Sequence, residues 1–148
     1  MARNIYDGDT PELGDLMRMA GESVLKTFFS MLPVKIVAYD KTKQCADIQP
    51  VVKRKDANGG LVDFPVIPCC QVWFPSGGDY SMAFPLAPGD LAVAVFASAS
   101  LSQWAVGGDE AARPESSRRG SLNDAVVLAG LRPQNAPLNA AQGDGLSI

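Results

Sequence analysis

The segment Val34-Lys35-Ile36-Val37-Ala38-Tyr39 is the point at which the apolar residues of this chain change from a period of 3.6 to a period of 2. A period of 2 is typical of a β-strand, so this segment predicts a strand that begins directly after Pro33. The polar residues 40–44 predict a turn, and residues 45–52 predict the second strand of a hairpin. Pro50 predicts that this second strand lies at a sheet edge or a bulge, because proline cannot donate a backbone hydrogen bond.

Short apolar runs separated by glycine and proline turns continue along the chain. Turn residues at 56–60, 76–79 and 87–90 separate these runs, and residues 98–104 predict a brief turn or helix before a polar loop at 109–119. The predicted strands cover residues 61–64, 66–74, 80–86, 91–97 and 125–128. Short strands at roughly ten-residue spacing indicate a mainly β fold, either a small barrel or a sandwich.

A helix is predicted before the first strand, over residues 11–32. Thr10 can serve as its N-cap and Pro11 suits its first position, whereas Pro33 ends it. The apolar stripe of this helix consists of Leu13, Met17, Ala20, Val24, Phe28 and Met31. A stripe this broad needs a partner surface, which can belong either to the same domain or to another subunit.

The composition excludes several classes of function. The 148 residues include no histidine, carry a formal net charge of −3 and are 47% apolar. Without histidine the chain lacks the commonest general base and metal ligand, and its serines have no histidine to activate them. Cys45, Cys69 and Cys70 lack the spacing of a zinc site and are expected to be reduced thiols that serve packing. We therefore predict no catalytic residue, no metal site and no cofactor.

Basic residues are distributed unevenly. Five of the thirteen lie between residues 41 and 55, and there is no Lys or Arg between residues 56 and 112. Small Greek-key barrels often bind single-stranded nucleic acid, which requires aromatic side chains beside a basic groove. Single-strand binding is therefore the alternative hypothesis. We nevertheless expect no nucleic acid as a partner, because the aromatic residues of the predicted barrel fall in the segment without basic residues.

A series of short motifs spans residues 47–131 in a characteristic order. The motifs are Asp47-Ile48-Gln49-Pro50, Pro65-Val66-Ile67-Pro68, Val72-Trp73-Phe74-Pro75-Ser76-Gly77-Gly78, Phe84-Pro85-Leu86, Pro88-Gly89-Asp90, Val95-Phe96, Trp104, Gly107-Gly108, Arg118-Arg119, Leu122-Asn123-Asp124-Ala125-Val126 and Gly130-Leu131. This series resembles the N-terminal domain family of membrane-puncturing central spike proteins of contractile-tailed phages. It is more loosely similar to the baseplate assembly protein V group.

The resemblance implies an OB-fold, a small Greek-key barrel, of which three copies surround the tail axis. The function it implies is that of a non-enzymatic baseplate protein that caps the tail hub and links it to the membrane-piercing tip. The expected partners are two further copies of this chain, the tail hub and other baseplate proteins, a possible separate spike-tip protein and, transiently, the host cell envelope. The expected location is the distal end of the tail in the virion, after synthesis in the host cytoplasm.

Two groups of residues are candidates for these contacts. Residues 91–97 are apolar on both faces of the predicted strand, so we expect cover from the barrel core on one face and from a neighbouring copy on the other. The candidates for the trimer interface or the core are Trp73, Phe74, Phe84, Leu86, Leu91, Val93, Val95 and Phe96. The candidates for docking on the hub are Leu13, Met17, Val24, Phe28 and Met31 of the helix.

Three regions are expected along the chain: an N-terminal helix and docking segment (1–33), the OB-type barrel (34–132) and an exit segment (133–148). In the family that the chain resembles, a needle follows the barrel, and its tip often carries histidines that hold an iron ion. This sequence has no histidine and only a short segment after Gly130-Leu131. We therefore expect the needle and tip to come from a separate protein or from a further part of a longer product.

Overall fold

Five strands close into a barrel around an apolar core. The computed structural model describes residues 12–108 and 110–137. The elements, in chain order, are α1 (Leu13–Thr27), β1 (Met31–Asp40), β2 (Cys45–Pro50), β3 (Lys53–Lys55), β4 (Leu61–Asp63), β5 (Ile67–Trp73), β6 (Ser76–Gly77), β7 (Tyr80–Ser81), β8 (Leu91–Phe96), α2 (Ser102–Gly107) and β9 (Ala125–Ala129).

The barrel strands follow the order β1-β2-β5-β9-β8, and β8 closes the barrel by pairing with β1. Neighbouring strands are antiparallel except β5 and β9, which are parallel. A three-stranded meander followed by this crossover is the Greek-key connection of an OB-fold. The predicted mainly β fold, an OB-type barrel preceded by a helix, is therefore confirmed.

The core is built from alternate residues of the barrel strands, as the two-residue period of a strand requires. Its fully buried side chains of greatest volume are Val34, Ile36, Ile48 and Val127. Phe29 adds an aromatic ring from the segment before β1, with its centroid 5.7 Å from that of Phe64 and 5.8 Å from that of Phe96. The barrel therefore has a complete apolar core within one chain.

The helix is shorter than the apolar stripe predicts. It ends at Thr27, so the prediction of residues 11–32 is wrong at the C-terminal end. Met31 instead opens β1, where it pairs with Val95 of β8, and Pro33 lies inside the strand rather than ending the helix. Backbone pairing with β8 holds this segment extended and overrides its local helical period.

Some of the residues predicted to begin the helix and to form the exit segment lie outside the described part of the chain. The predicted N-cap Thr10 and the predicted first-turn Pro11 lie outside the described residues, as do residues 138–148 of the predicted exit segment. Glu12 occupies the N-cap position of α1, and its side chain makes no capping hydrogen bond.

Most of the predicted strands are confirmed with small shifts at their ends, but residues 80–86 do not form one strand. Tyr80–Ser81 pair with Ser76–Gly77 in a short hairpin, and the following residues are irregular. Packing decides the path of this segment, because Phe84 lies against Phe74 and Leu86 packs against the core.

Pro50 lies at the last position of β2 in a closed barrel, rather than at a sheet edge or a bulge. Pairing between β2 and β5 ends at Ile48 opposite Ile67, so the missing N–H of Pro50 interrupts no pair with β5. The shifts in register fall beside Asp47 instead, both against β1 and against β5.

Asp47 supports an unusual backbone conformation in β5. Its Oδ1 accepts a hydrogen bond of 2.9 Å from the N–H of Cys69, and Cys69 has a φ of 49°. Residues other than glycine are strained in this left-handed region. The Asp47 carboxylate therefore helps to fix a conformation that Cys69 would otherwise avoid.

Gly120 joins the long β8–β9 connection to the segment before β1. Its N–H donates to the Ala97 carbonyl at 2.9 Å, and its carbonyl accepts from the Phe29 N–H at 2.8 Å. Its φ is 57°, and an added Cβ would lie 2.7 Å from the Phe29 carbonyl oxygen and 2.8 Å from the Phe28 ring. Both the backbone conformation and the available space therefore require glycine here.

We expect Gly120→Ala to lower the free energy of unfolding by about 1–3 kcal/mol, from left-handed strain and the contact with Phe29. Urea denaturation followed by circular dichroism measures this change. Gly77→Ala is the matched control, because a Cβ at Gly77 meets no atom within 4 Å. It should change the free energy of unfolding by less than about 0.5 kcal/mol, and an equal loss in the two variants would contradict the role of Gly120.

The three cysteines are free thiols, two of them buried. Burial raises the pKa of the Cys70 thiol to about 12, with a further contribution from neighbouring Cys69. Burial likewise raises the pKa of Cys45 to about 11, and the Cys69 thiol beside it adds to the effect. Both pKa values exceed the ordinary 9.0, so the folded chain keeps these thiols protonated at pH values where an unfolded chain loses the protons.

The raised pKa values of the two buried thiols make the folded chain less stable at high pH. Above pH 9 the unfolded state binds fewer protons than the folded chain, so the free energy of unfolding should fall as the pH rises. The contribution of the two protonated thiols to stability is then complete below pH 9 and declines toward pH 11. Cys70→Ala should make this decline shallower in urea titrations at successive pH values. Val127→Ala shortens a buried side chain without a thiol, and it should lower stability without changing the slope.

Candidate interaction surface

Strand β8 is apolar on both faces but turns one of them toward the core. Ala92 and Ala94 are fully buried, whereas Val93 is half-buried and Val95 is 38% exposed. A valine that is exposed on a strand this apolar indicates a face that the barrel does not cover.

The residues beside Val93 and Val95 on the outer side of the barrel are also apolar. In the register of the sheet, Val95 lies between Met31 of β1 and Val126 of β9. We define the outer apolar face by the side chains at Met31, Pro33, Trp73, Val93, Val95, Val126 and Leu128. Each of these side chains is half-buried or exposed, and none carries a charge. Strands β1, β8, β9 and β5 therefore present one continuous apolar surface to the outside.

The predicted interface residues divide between this face and the interior. Trp73, Val93 and Val95 lie on the outer apolar face, and Trp73 is 53% exposed. Phe74 and Phe96 are buried in the core, so of the two roles left open for them the structure assigns the core. Their positions follow from the alternation of side chains along a strand.

The remaining predicted interface residues lie at one end of the barrel. Phe84, Leu86 and Leu91 line a groove of about 330 Å³, together with Ala129 and Arg132. Phe84 is half exposed, and its ring centroid is 6.2 Å from that of Phe74. This groove is a second apolar feature next to the outer apolar face, since Leu91 belongs to the same strand as Val93.

The outer apolar face includes four residues that the sequence does not identify as interface candidates: Met31, Pro33, Val126 and Leu128. On the sequence pattern, Met31 belongs to the docking helix and Pro33 marks the end of that helix. The alternation along β9 does place Val126 and Leu128 on one face. Their closeness to Val93 and Val95 depends on strand pairing, which the local sequence does not specify.

A buried carboxylate anchors the connection between β8 and β9. Asp124 is 2% exposed, and its Oδ1 accepts a hydrogen bond of 2.9 Å from the N–H of Leu101, just before α2. The Arg118 Nε lies 3.6 Å from the other oxygen, Oδ2, which makes an ion pair but no hydrogen bond. Ser102 donates to Glu115 at 2.7 Å in the same connection. These contacts fix the loop and α2, and we assign them a structural role.

The described residues show no arrangement typical of a metal centre or a membrane span. Across residues 12–108 and 110–137, no group of three or more His, Cys, Asp or Glu residues is placed to hold a metal ion. Within the same residues, no helix has the length and apolarity that crossing a membrane requires.

The OB-fold face that commonly binds single strands is built here by β2 and β5. Its outward side chains are Asp47, Gln49, Cys69, Gln71 and Trp73. They include one aromatic ring, one acid and no base, whereas single-strand binding relies on several aromatic rings beside basic residues. The face is therefore poorly suited to nucleic acid.

Three of the five basic residues between 41 and 55 lie on the β3–β4 hairpin, and Lys41 and Lys43 lie in the turn between β1 and β2. Lys53, Arg54 and Lys55 are all exposed. The Lys53 Nζ lies 3.5 Å from the Asp63 carboxylate across the hairpin, and the Arg54 guanidinium lies 5.8 Å from the centre of the Phe64 ring. Contacts within the chain therefore engage two of the three cations.

A family model described as the N-terminal domain of phage protein Gp138 matches residues 32–130. The chain belongs to this family. No curated protein matches the sequence.

The Gp138 N-terminal domain match begins in β1 and ends directly after β9, so it covers the whole barrel and leaves α1 outside. It agrees with the resemblance to the N-terminal domains of phage central spike proteins and makes this chain a phage structural protein. The outer apolar face lies within the matched region, apart from Met31, which immediately precedes it.

Proposed function

We propose that this phage structural protein is the trimeric collar of the central spike in a contractile tail. In this role three copies surround the tail axis, cap the tail hub and link it to the membrane-piercing tip. The outer apolar face is the observation that carries the proposal. An apolar surface extending over four strands is unusual on a monomer and is typical of a protein interface.

Threefold symmetry would cover this surface efficiently. When the outer apolar face is directed at a threefold axis, each copy meets the same face of two others, so apolar side chains contact apolar side chains. Exposed Trp73 and Met31 are suitable anchors, because large, unbranched or aromatic side chains bury much area. The surrounding segment favours the same arrangement, since residues 56–112 contain no Lys or Arg and charge is depleted at interface cores.

The proposed partners follow from this position. The tail hub and other baseplate proteins would contact one end of the trimer, and a separate spike-tip protein or a further part of a longer product would continue from the other. The proposed location is the distal end of the tail in the virion, where the host envelope is met transiently. The role requires rigid packing rather than bond-making chemistry, and neither a catalytic residue nor a cofactor has a place in it.

The structural role is favoured over single-strand binding by the position of the charges. The β2–β5 face has no basic side chain, and two of the three cations of β3 are engaged across their own hairpin and over Phe64. A single-strand site would need these cations beside exposed aromatic rings.

We expect Val95→Asp to convert the trimer into folded monomers. Val95 is 38% exposed in one chain, so an aspartate can be hydrated in the monomer but would be desolvated in the interface. Val37→Asp is the matched control, because Val37 is 39% exposed on β1 and lies outside the outer apolar face. It should leave the trimer intact. Multi-angle light scattering gives the masses, and circular dichroism confirms that both variants fold.

The unmodified chain provides the decisive result. A mass near three times 15.6 kDa is expected at micromolar concentration. A stable monomer that binds single strands tightly and loses affinity steeply with salt would overturn the proposal in favour of nucleic-acid binding. A trimer in which Val95→Asp and Val37→Asp are equally harmless would show that another surface forms the interface.

A further inference from the structure

Helix α1 presents an apolar surface that its own barrel does not cover. None of its residues is buried, and its large apolar side chains are about half exposed or more. These side chains are Leu13, Leu16, Met17, Met19, Val24 and Leu25. A helix of this composition requires a partner outside the described chain.

The length of α1 leads to the same requirement. It has 15 residues, and isolated helices of this length are marginally stable in water. Gly14 and Gly21 lower its stability further, since glycine costs about 1 kcal/mol relative to alanine inside a helix. Packing against another surface must therefore supply the stability that the local sequence lacks.

The apolar residues form a seam with the spacing of a coiled coil. Leu13, Met17, Ala20 and Val24 follow one another at intervals of 4, 3 and 4, which are the d, a, d and a positions of two heptads. We call these residues the α1 seam. The flanking e and g positions hold Gly14, Leu16, Gly21 and Ser23, which are uncharged. The charged residues Asp15, Arg18, Glu22 and Lys26 fall on the opposite side of the helix.

This distribution of charge suits identical parallel helices. Copies related by a threefold axis bring the same a and d positions together, so a charge at a or d would meet its own kind, whereas the e position of one helix faces the g position of the next. The α1 seam and its flanks carry none. Asp15 and Arg18 already form an ion pair of 2.9 Å within the helix, on the side away from the seam.

The connection to the barrel places the helices near one another in a trimer. Residues 28–30 link α1 to Met31 of the outer apolar face, and three residues span at most about 11 Å. This link is fixed to the barrel, because Phe29 donates to the Gly120 carbonyl at 2.8 Å and its ring packs against Phe64 and Phe96. Barrels that meet through the outer apolar face would therefore bring their α1 helices together.

We propose that the α1 seam packs against the α1 seams of two further copies, forming a parallel three-helix bundle beside the barrels. This inference rests on the proposed trimer. It identifies two further copies of α1 as the partners that cover the helix, and the tail hub is the competing partner. The bundle covers the seam and leaves Met19 and Leu25 on the outside.

The first test compares two methionines of similar exposure. Met17 lies in the seam and is 69% exposed in one chain, whereas Met19 lies outside it and is 59% exposed. Lysine and methionine have nearly equal helix propensity, and Met19→Lys adds only weak helical ion pairs with Asp15 and Glu22, so a large difference in assembly between Met17→Lys and Met19→Lys reflects packing. Met17→Lys in the full chain should remove most of the helical circular dichroism at 222 nm. It should also raise the concentration of half-dissociation by at least roughly tenfold. Met19→Lys should change neither.

The second test measures whether the α1 helices of different copies lie close together. In a full chain with the exposed Cys69 replaced (Cys69→Ser), Ala20→Cys in the seam should form disulfide-linked chains when incubated with oxidised glutathione. Glu22→Cys, on the charged side of the helix, should remain unlinked under the same conditions. Non-reducing electrophoresis measures both.

The outcomes of these tests distinguish a failure of the proposed helix bundle from a failure of the proposed trimer. Light scattering that gives a trimer, with both methionine variants unchanged and Ala20→Cys unlinked, would overturn the bundle while leaving the collar in place. The hub would then be the occupant of the seam. A monomeric unmodified chain would overturn both proposals. A Val95→Asp chain whose Ala20→Cys still links would show that the helices associate independently of the barrel face, in support of the bundle.

Discussion

In a closed barrel each strand directs only alternate side chains at the core, so a strand that is apolar at every position leaves half of its side chains outside. β8 is such a strand, with Ala92 and Ala94 inside and Val93 and Val95 outside. Because β8 pairs with both β1 and β9, the apolar residues of these neighbours extend the outer surface on either side. The fold and the outer apolar face therefore have the same physical origin.

The long connection between β8 and β9 is what allows this surface to form. β9 can supply Val126 and Leu128 only if it returns beside β8, and the polar contacts of the connection hold it there. Asp124 accepts from the N–H of Leu101 before α2, and Gly120 bridges Ala97 and Phe29. Asp124 and Gly120 do not belong to the outer apolar face, but their contacts keep β9 beside β8 and so keep this face continuous.

The sequence predicts the barrel strands well because each is short, apolar in alternation and bounded by turn residues. It fails at Met31 and Pro33, where pairing with β8 replaces a helical period by an extended strand. It also fails over residues 82–86, whose path is set by packing on Phe74 and the core. Trp73, Val93 and Val95 could be predicted as candidates from apolarity alone. The sequence alone does not show that these three residues lie on the outer apolar face with Leu128 while Phe74 and Phe96 lie in the core. That division depends on the pairing of strands distant in sequence.

The barrel and the helix depend on assembly to different degrees. The barrel core is complete within one chain, with every barrel strand contributing buried side chains, so the barrel can fold before it meets another copy. Helix α1 has no buried residue and is too short to be stable alone. If one threefold axis covers both the outer apolar face and the α1 seam, the order of events follows. The barrels fold first and associate through strands that are already rigid, and this brings three weak helices to a high local concentration. The helices then become ordered as a consequence of the trimer rather than as its cause.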